Sequence, residues 1–410
     1  MSAGRESLPE LHQLMRALTG MFDKRRSWGS ALRDQDGKTV CTPHACAACM
    51  ACVDACRHDA ITIRDTLSDC SAVIDSKKCI GCGACQRVCP QLNPVELRGS
   101  IKWQQGWASD CEQRAKSSSG GIATEIARAF IENGGTVCSC RQIENDFTFE
   151  LTDNPAEMDA MRGSKYVKSN PVGSYRRVRD ELRMGRKVLF IGLPCQVAAV
   201  RSFVGKREGQ LYTVDLICHG TPSCQLLRKF LLERNKRLSG KAILDFRKKI
   251  QFCLRWRGGE TGITGRRMDP YTIAFLEGLS YTENCYSCRY ARGKRVSDIT
   301  LGDSWGTELV AEESAGVSLV LTQTTKGFEL LRTAAITLLP VDAARARGNN
   351  GQLSAPTPKP ANREIFFRAI QKGESISHAT LRAAPLAFIK RSVKSVVKSF
   401  LMDRDLRRKE

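Results

Sequence analysis

Cys79, Cys82, Cys85 and Cys89 stand in "CIGCGACQRVCP", the order C-x2-C-x2-C-x3-C-P. Three thiolates on one tight loop grip three irons of a 4Fe–4S cubane, and the fourth reaches a second cubane. That second site needs a matching run, and "CAACMACVDACR" supplies it with Cys46, Cys49, Cys52 and Cys56. Arg57 stands where the other copy has Pro90, which loosens the first half without removing a ligand. The two halves of such a segment are related by a pseudo-twofold axis. One cluster is therefore expected on Cys46, Cys49, Cys52 and Cys89, the other on Cys79, Cys82, Cys85 and Cys56. A pair of zinc knuckles would not require two identical four-cysteine runs. Cys41 and Cys70 fall outside the pattern and read as ordinary cysteines.

A third group is less explicit. Cys285 and Cys288 in "NCYSC" have the spacing of two ligands, and an all-cysteine site needs two more. Cys195 in "GLPCQV" and Cys218 in "LICHG" each follow an apolar run that reads as a strand. Ligands gather at the C-terminal ends of strands in α/β sheets, so these two can converge with Cys285 and Cys288. Buried structural cysteines or a zinc site fit the same residues.

The elements that must position these groups are legible in outline. Residues 1–35 read as a basic helix followed by a polar loop. Residues 36–98 hold ten of the nineteen cysteines and a repeat of about thirty residues. From 99 to 340 short apolar strands alternate with helices: strands at 187–192, 210–218 and 297–303, helices at 196–204 and 222–238. This alternation predicts an α/β core. The expected fold class is α/β (α+β): an N-terminal dicluster ferredoxin-like domain at 36–98, then a mixed core divided into 99–185 and 186–340. The link "SAPTPKP" (354–360) leads into a basic helical tail within 341–410.

"KSSSGGIATEIARAFIENGG" (116–135) predicts a polar turn and an amphipathic helix. The positive end of a helix suits a pyrophosphate. Gly120 and Gly121 permit close backbone approach, and Ser118 and Ser119 can donate hydrogen bonds. A plain helix cap fits equally. Lys165 and Lys168 in "GSKYVKS" read as phosphate-neutralising groups or as a solvated basic loop.

Nineteen cysteines in a chain without an apolar leader fit a reducing, cytoplasmic setting and argue against a disulfide framework. No run approaches the ~18 apolar residues of a membrane span. The formal charge is +21, to which each cluster site would add roughly −2. That balance fits an acidic protein partner, an anionic lipid surface or nucleic acid. The basic residues are scattered and not interleaved with aromatics, so nucleic acid is not expected. In the tail, Leu386, Ile389, Val393, Val396, Val397 and Phe400 share one helical face, and Lys390, Arg391, Lys394 and Lys398 the other. Such a helix suits peripheral contact at the inner face of a membrane, or docking on the protein's own core.

"LPCQ", "CHG", "NCYSC" and "SDITLGDSW", preceded by "SSSGG" and "GSKYVKS", resemble in this order the family of coenzyme F-420 hydrogenase/dehydrogenase beta subunits. The resemblance implies a third 4Fe–4S cluster on Cys195, Cys218, Cys285 and Cys288, beside an FAD held around Ser118, Ser119, Gly120, Gly121, Lys165 and Lys168. It implies an oxidoreductase passing electrons between ferredoxin-type clusters and a flavin that exchanges hydride with a small-molecule substrate. That substrate would be the deazaflavin coenzyme or a biosynthetic intermediate, for instance in polysaccharide synthesis. Ferredoxin or another redox protein would be the electron donor or acceptor. The competing reading is an electron-transfer subunit without a substrate site. His219 reads as a proton donor, a hydrogen-bond partner of the cluster or a structural histidine. Asp303 and Trp305 read as pocket lining or as turn and core residues. No catalytic residue is assigned.

Overall fold

The computed structural model describes residues 37–394, apart from 145, 237–241, 260, 261 and 266. The expected N-terminal helix and the tail residues Val396, Val397, Lys398 and Phe400 lie outside the described residues.

The cysteine-rich segment is built twice over. Strands β1 (Ile61–Asp65) and β2 (Cys70–Ile74) pair antiparallel, with Ile61 opposite Ile74 and Asp65 opposite Cys70. Short helices Ala51–Ala55 and Ala84–Arg87 follow the two cysteine loops. Gly81 and Gly83 take φ of 72° and 68°, and the equivalent positions of the first copy, Ala48 and Met50, take 49° and 64°. A side chain in this left-handed region costs about 1–2 kcal/mol per residue. The first loop bears that cost twice, at Ala48 and Met50.

The core is one eight-stranded sheet. Its strands are β3 (Lys102–Ala108), β4 (Thr136–Ile143), β5 (Asp146–Thr152), β6 (Val188–Gly192) and β7 (Leu211–Leu216), and β10 (Ile299–Asp303), β11 (Ser318–Thr322) and β12 (Ile336–Pro340). β8 (Leu244–Lys248) and β9 (Gln251–Trp256) form a separate hairpin. The order across the sheet is β12-β3-β11-β10-β7-β6-β4-β5. β4, β6, β7 and β10 run parallel, and antiparallel strands flank them on both sides.

The sequence explains the centre of this sheet. "VLFIG" is buried at all five positions, as expected of a parallel strand covered on both faces. Val188 and Phe190 pack with the helices Ser174–Arg183 and Pro194–Val204, whereas Leu189 and Ile191 pack with Ile122–Glu132 and Thr325–Thr333. This is the two-residue alternation of a strand. The strands expected at 187–192, 210–218 and 297–303 form as β6, β7 and β10. The helix expected at 222–238 is shorter, Cys224–Leu232.

Strands from 99–185 and from 186–340 interleave in the one sheet, so the two expected parts of the core share a single scaffold. Residues beyond 340 are also more than a linker and tail. Phe366, Phe367, Ile370, Ile376 and Ala379 are buried against Leu227, Phe230 and Tyr271. Residues 385–394 are helical, with Leu386, Ile389 and Val393 exposed by 83%, 56% and 56%. Among the described residues no helix is long and apolar enough to cross a membrane.

The cysteine-rich segment is docked by polar contacts. The helix Ser174–Arg183 starts at Gly173, which has no side chain to cap it. Asp54 supplies the cap from the other segment, accepting from the backbone N–H of Gly173 at 2.7 Å and of Tyr175 at 3.2 Å. Tyr175 Oη donates to Cys49 O at 2.7 Å, and Arg176 Nη2 to Cys56 O at 2.9 Å. Removing a capping oxygen costs about 0.5–2 kcal/mol, and more where donors stay buried. Asp54→Ala is therefore expected to speed amide hydrogen exchange at Gly173 and Tyr175 by roughly two- to thirty-fold or more. Unchanged exchange at both amides would show that the cap does not hold this junction.

Candidate functional site

The second cysteine set meets at the surface. Cys56, Cys79, Cys82 and Cys85 line a cavity of about 30 Å³ together with Ile61, Ile74 and Ile80. Cys56 comes from the first copy, so the crossed pairing expected from the spacing is how the chain brings these thiols together. Cys79 and Cys82 are exposed, and Ile80 between them is 66% exposed.

The other crossed set, Cys46, Cys49, Cys52 and Cys89, is buried. Burial pushes the thiols of Cys49 and Cys52 up. A thiol in such surroundings does not ionise on its own; a bound cation has to offset the lost hydration. Cys41, read as an ordinary cysteine, stands within hydrogen-bond reach of Cys46 and Cys89. Its contact is the main cause of their lowered values, about 7 and about 6. No spacing rule marks Cys41, because only the fold brings it to this set.

The third set converges at the end of the sheet. Leu193 and Pro194 follow β6 and place Cys195 in the first turn of the next helix. The Gln196 side chain fixes that turn: Oε1 accepts from Leu193 N–H, and Nε2 donates to Ser169 Oγ, both at 2.9 Å. Cys218 follows β7, the parallel neighbour of β6. Gly220 lies two residues on, at φ 146°, where a Cβ would stand 2.3 Å from the Tyr281 ring. Cys285 sits on the short turn Glu283–Ser287, with the Thr221 and Thr282 hydroxyls 3.9 and 3.6 Å from its sulfur. Cys288 ends that turn. The four thiols lie near enough that ionised Cys285 and Cys288 raise Cys195, and Cys285, Cys195 and Cys288 raise Cys218. Burial is the larger cause, and it pushes Cys195 up to about 12.

A zinc ion draws its thiolates to about 2.3 Å from one point. Among the described residues no three Cys, His, Asp or Glu side chains are gathered that tightly. A cubane spreads its ligands over four irons and sets them further apart. Cys285 is buried and Cys195, Cys218 and Cys288 are half-buried, and four such thiols form a donor set that fits such a cluster.

Arg295 locks this arrangement. It pairs with Asp215 of β7 at 3.2 Å, both side chains fully buried. It also donates to Tyr290 O at 2.7 Å, Leu216 O at 3.1 Å and Thr300 Oγ1 at 3.2 Å. One guanidinium thus ties the strand carrying Cys218 to the loop carrying Cys285 and Cys288.

A cavity of about 520 Å³ opens beside this set. Cys218, His219 and Gly220 form part of its wall, and Ser118, Ser119, Gly121, Lys165, Asp303 and Trp305 line it too. Gly121 has φ 90° and starts the helix Ile122–Glu132, so a positive helix end faces the cavity. Ser118 Oγ accepts from Ser164 N–H at 2.9 Å, and Ser119 Oγ donates to Val317 O at 3.2 Å. Lys165 donates to Met161 O, Arg162 O and Gly163 O, and burial lowers its pKa to about 8. Burial likewise lowers His219, which favours its neutral form.

Two expected contacts lie elsewhere. Gly120 is a packing glycine: its N–H donates to Ser318 Oγ at 3.0 Å, and a Cβ would stand 2.5 Å from Gly106 O. Lys168 is not part of the cavity wall; it is buried, and its Nζ donates to Ala47 O at 3.1 Å. Successive residues of "GSKYVKS" point to different sides, and that separates the two lysines. Arg247, in turn, was not legible. It forms a bidentate pair with Asp303 at 2.7 and 2.8 Å and donates to Ser118 O at 2.9 Å. It also lies over Phe252 and Trp305, 5.0 and 5.7 Å from their ring centroids. Nothing in "DFRKK" distinguishes it from other basic residues.

The first and third cysteine sets adjoin. Cys49, Tyr175 and Tyr290 belong to one buried group against which Cys195 and Cys288 pack.

Residues 185–340 match the family described as the C terminus of the coenzyme F420 hydrogenase/dehydrogenase beta subunit. Residues 45–92 and 71–143 match two models of a 4Fe-4S dicluster domain. The matches to the dicluster models and to that family's C-terminal model thus fall on successive parts of the chain, in the order the motifs implied. It is similar to a subunit of the F(420)H(2) dehydrogenase of Methanosarcina mazei, 26% identical over 168 residues, covering 38% of this chain and 47% of that protein. The chain therefore spans about half the length of this curated relative. Among solved structures, a chain of the F420-reducing NiFe hydrogenase complex from Methanosarcina barkeri, studied by xenon derivatization, matches with 18% identity and a TM-score of 0.43. That match covers 68% of this chain and 96% of the other.

Removing one partner of a buried ion pair strands the other charge, at a cost of about 3–5 kcal/mol. Arg295→Met is expected to lose about that much in denaturant unfolding, and Arg295→Met with Asp215→Leu to regain a large part. A single variant as stable as the parent would show that Arg295 does not hold the loop.

Proposed function

We propose that the chain is an iron–sulfur flavoprotein oxidoreductase with a three-cluster electron path and an FAD pocket at its end. Cys56, Cys79, Cys82 and Cys85 would hold the surface cluster, where a redox protein exchanges electrons. Cys46, Cys49, Cys52 and Cys89 would hold the next. Cys195, Cys218, Cys285 and Cys288 would hold the third. When bound, clusters carry single electrons and a flavin converts between these and a hydride.

One observation carries this reading: Cys218 belongs to the third set and to the wall of the 520 Å³ cavity. A group in that cavity lies in contact with the third cysteine set, which itself packs on the first through Cys49. The volume falls within the roughly 300–1,000 Å³ of small-molecule and cofactor sites. The protein's contribution is placement. The start of the helix Ile122–Glu132 presents a positive end to a pyrophosphate, with Ser118 free to donate its hydroxyl proton. Arg247 holds the Ser118 turn and the Asp303 strand end in fixed relation. Tyr166, Phe252 and Trp305 offer flat apolar walls for a ring system. His219, neutral and beside Cys218, is placed to hydrogen-bond a group at the cluster end. The substrate is a small molecule that accepts or gives hydride, with the deazaflavin coenzyme one candidate through the family.

The test is iron, acid-labile sulfide and released flavin per chain, on protein purified without oxygen. About twelve irons with bound FAD, falling to about eight in Cys285→Ser, are expected. About eight irons in both, without flavin, would leave only a dicluster electron carrier and end the proposal.

A further inference from the structure

Lys168 is 4% exposed. A lysine at such depth carries a large desolvation cost unless its charge is paired. Among the described residues its ammonium donates to Ala47 O beside Cys46, at 3.1 Å. Asp65 feels its charge, but that carboxylate is already engaged by Ser223 Oγ at 2.6 Å and Leu67 N–H at 2.8 Å. Burial works against its charge, and the sulfurs that would favour it once ionised are those of Cys285, Cys70, Cys195 and Cys46. The backbone is pinned as well. Lys168 N–H donates to Pro222 O at 2.8 Å, and the adjoining Ser169 takes the bond from Gln196 Nε2 beside Cys195. The ammonium therefore has a fixed place at the junction of two cysteine sets that come from different parts of the chain.

We infer that Lys168 is a counter-ion shared by the first and third cluster sites, a positioning residue that sets the reduction potential of both. Each site with its thiolates carries about −2 when oxidised and one more negative charge when reduced. A fixed positive charge stabilises the reduced form of each, and burial protects that effect from salt. With both clusters bound, Lys168 would lie near the charge on either side of the junction. A lysine serving only as a hydrogen-bond donor to Ala47 would have no such effect. The inference rests on the three-cluster reading, and iron per chain separates the two: about eight irons in the parent defeats that reading, whereas about twelve leaves Lys168 to be judged alone.

The experiment is a redox titration of the loaded full-length chain, followed by electron paramagnetic resonance, for the parent, Lys168→Met and Lys168→Arg. In Lys168→Met the first and third centres are both expected to fall in potential by at least 59 mV, a tenfold change in the oxidised-to-reduced ratio for one electron. The surface centre should move less. Lys168→Arg, which keeps the charge, should hold its iron with both potentials within threefold of the parent's ratio. If Lys168→Met loses iron while Lys168→Arg keeps it, the requirement for charge stands. A loaded methionine variant with either centre unmoved overturns the inference, and so does an arginine variant that loses its iron or shifts both centres beyond tenfold.

Discussion

The burial of sulfur is the constraint on which the rest of this structure depends. A thiolate in a protein interior needs a cation close by, or it stays protonated and inert. This chain buries Cys46, Cys49, Cys52 and Cys89, sets them next to buried Cys285 and half-buried Cys195, Cys218 and Cys288, and leaves another set near the surface. The first and third sets come from segments more than a hundred residues apart, so their separation is only as well defined as the docking between those segments. That is why the junction is polar and specific. Asp54 caps a helix that begins at a glycine, Tyr175 holds the carbonyl of Cys49, and Lys168 holds the carbonyl beside Cys46.

The sheet does the corresponding work on the other side. Parallel neighbours β6 and β7 end at one level, which sets Cys195 and Cys218 side by side. The remaining two thiols ride on a loop that has little regular structure of its own. Arg295 compensates by binding that loop and the end of β7 at once. The cavity then follows from geometry: a parallel sheet opens beyond its strand ends, and there the Ser118–Gly121 turn and Trp305 close the space.

Basic residues serve two different purposes here. Lys165 and Arg247 are spent on carbonyls and on Asp303, and so shape the cavity wall. Lys168 donates to the Ala47 carbonyl beside Cys46, away from the cavity wall. From the motif alone all of these are simply basic side chains near a turn, and their division of labour depends on which way each one points.

The sequence by itself determined the two cysteine repeats and the strands at the centre, and it supplied the candidates for the crossed pairing and the third set. Each of these rests on short-range spacing or on an unbroken apolar run, both of which act locally along the chain. Only the tertiary structure decided the rest. It moved Lys168 from the cavity to the junction, made Gly120 a packing residue, and brought Cys41 to Cys46 and Cys89. It also placed Arg247 and Arg295, and drew residues 343–383 into the core. These depend on contacts between segments distant in sequence and on the direction of single side chains, and no local pattern records either.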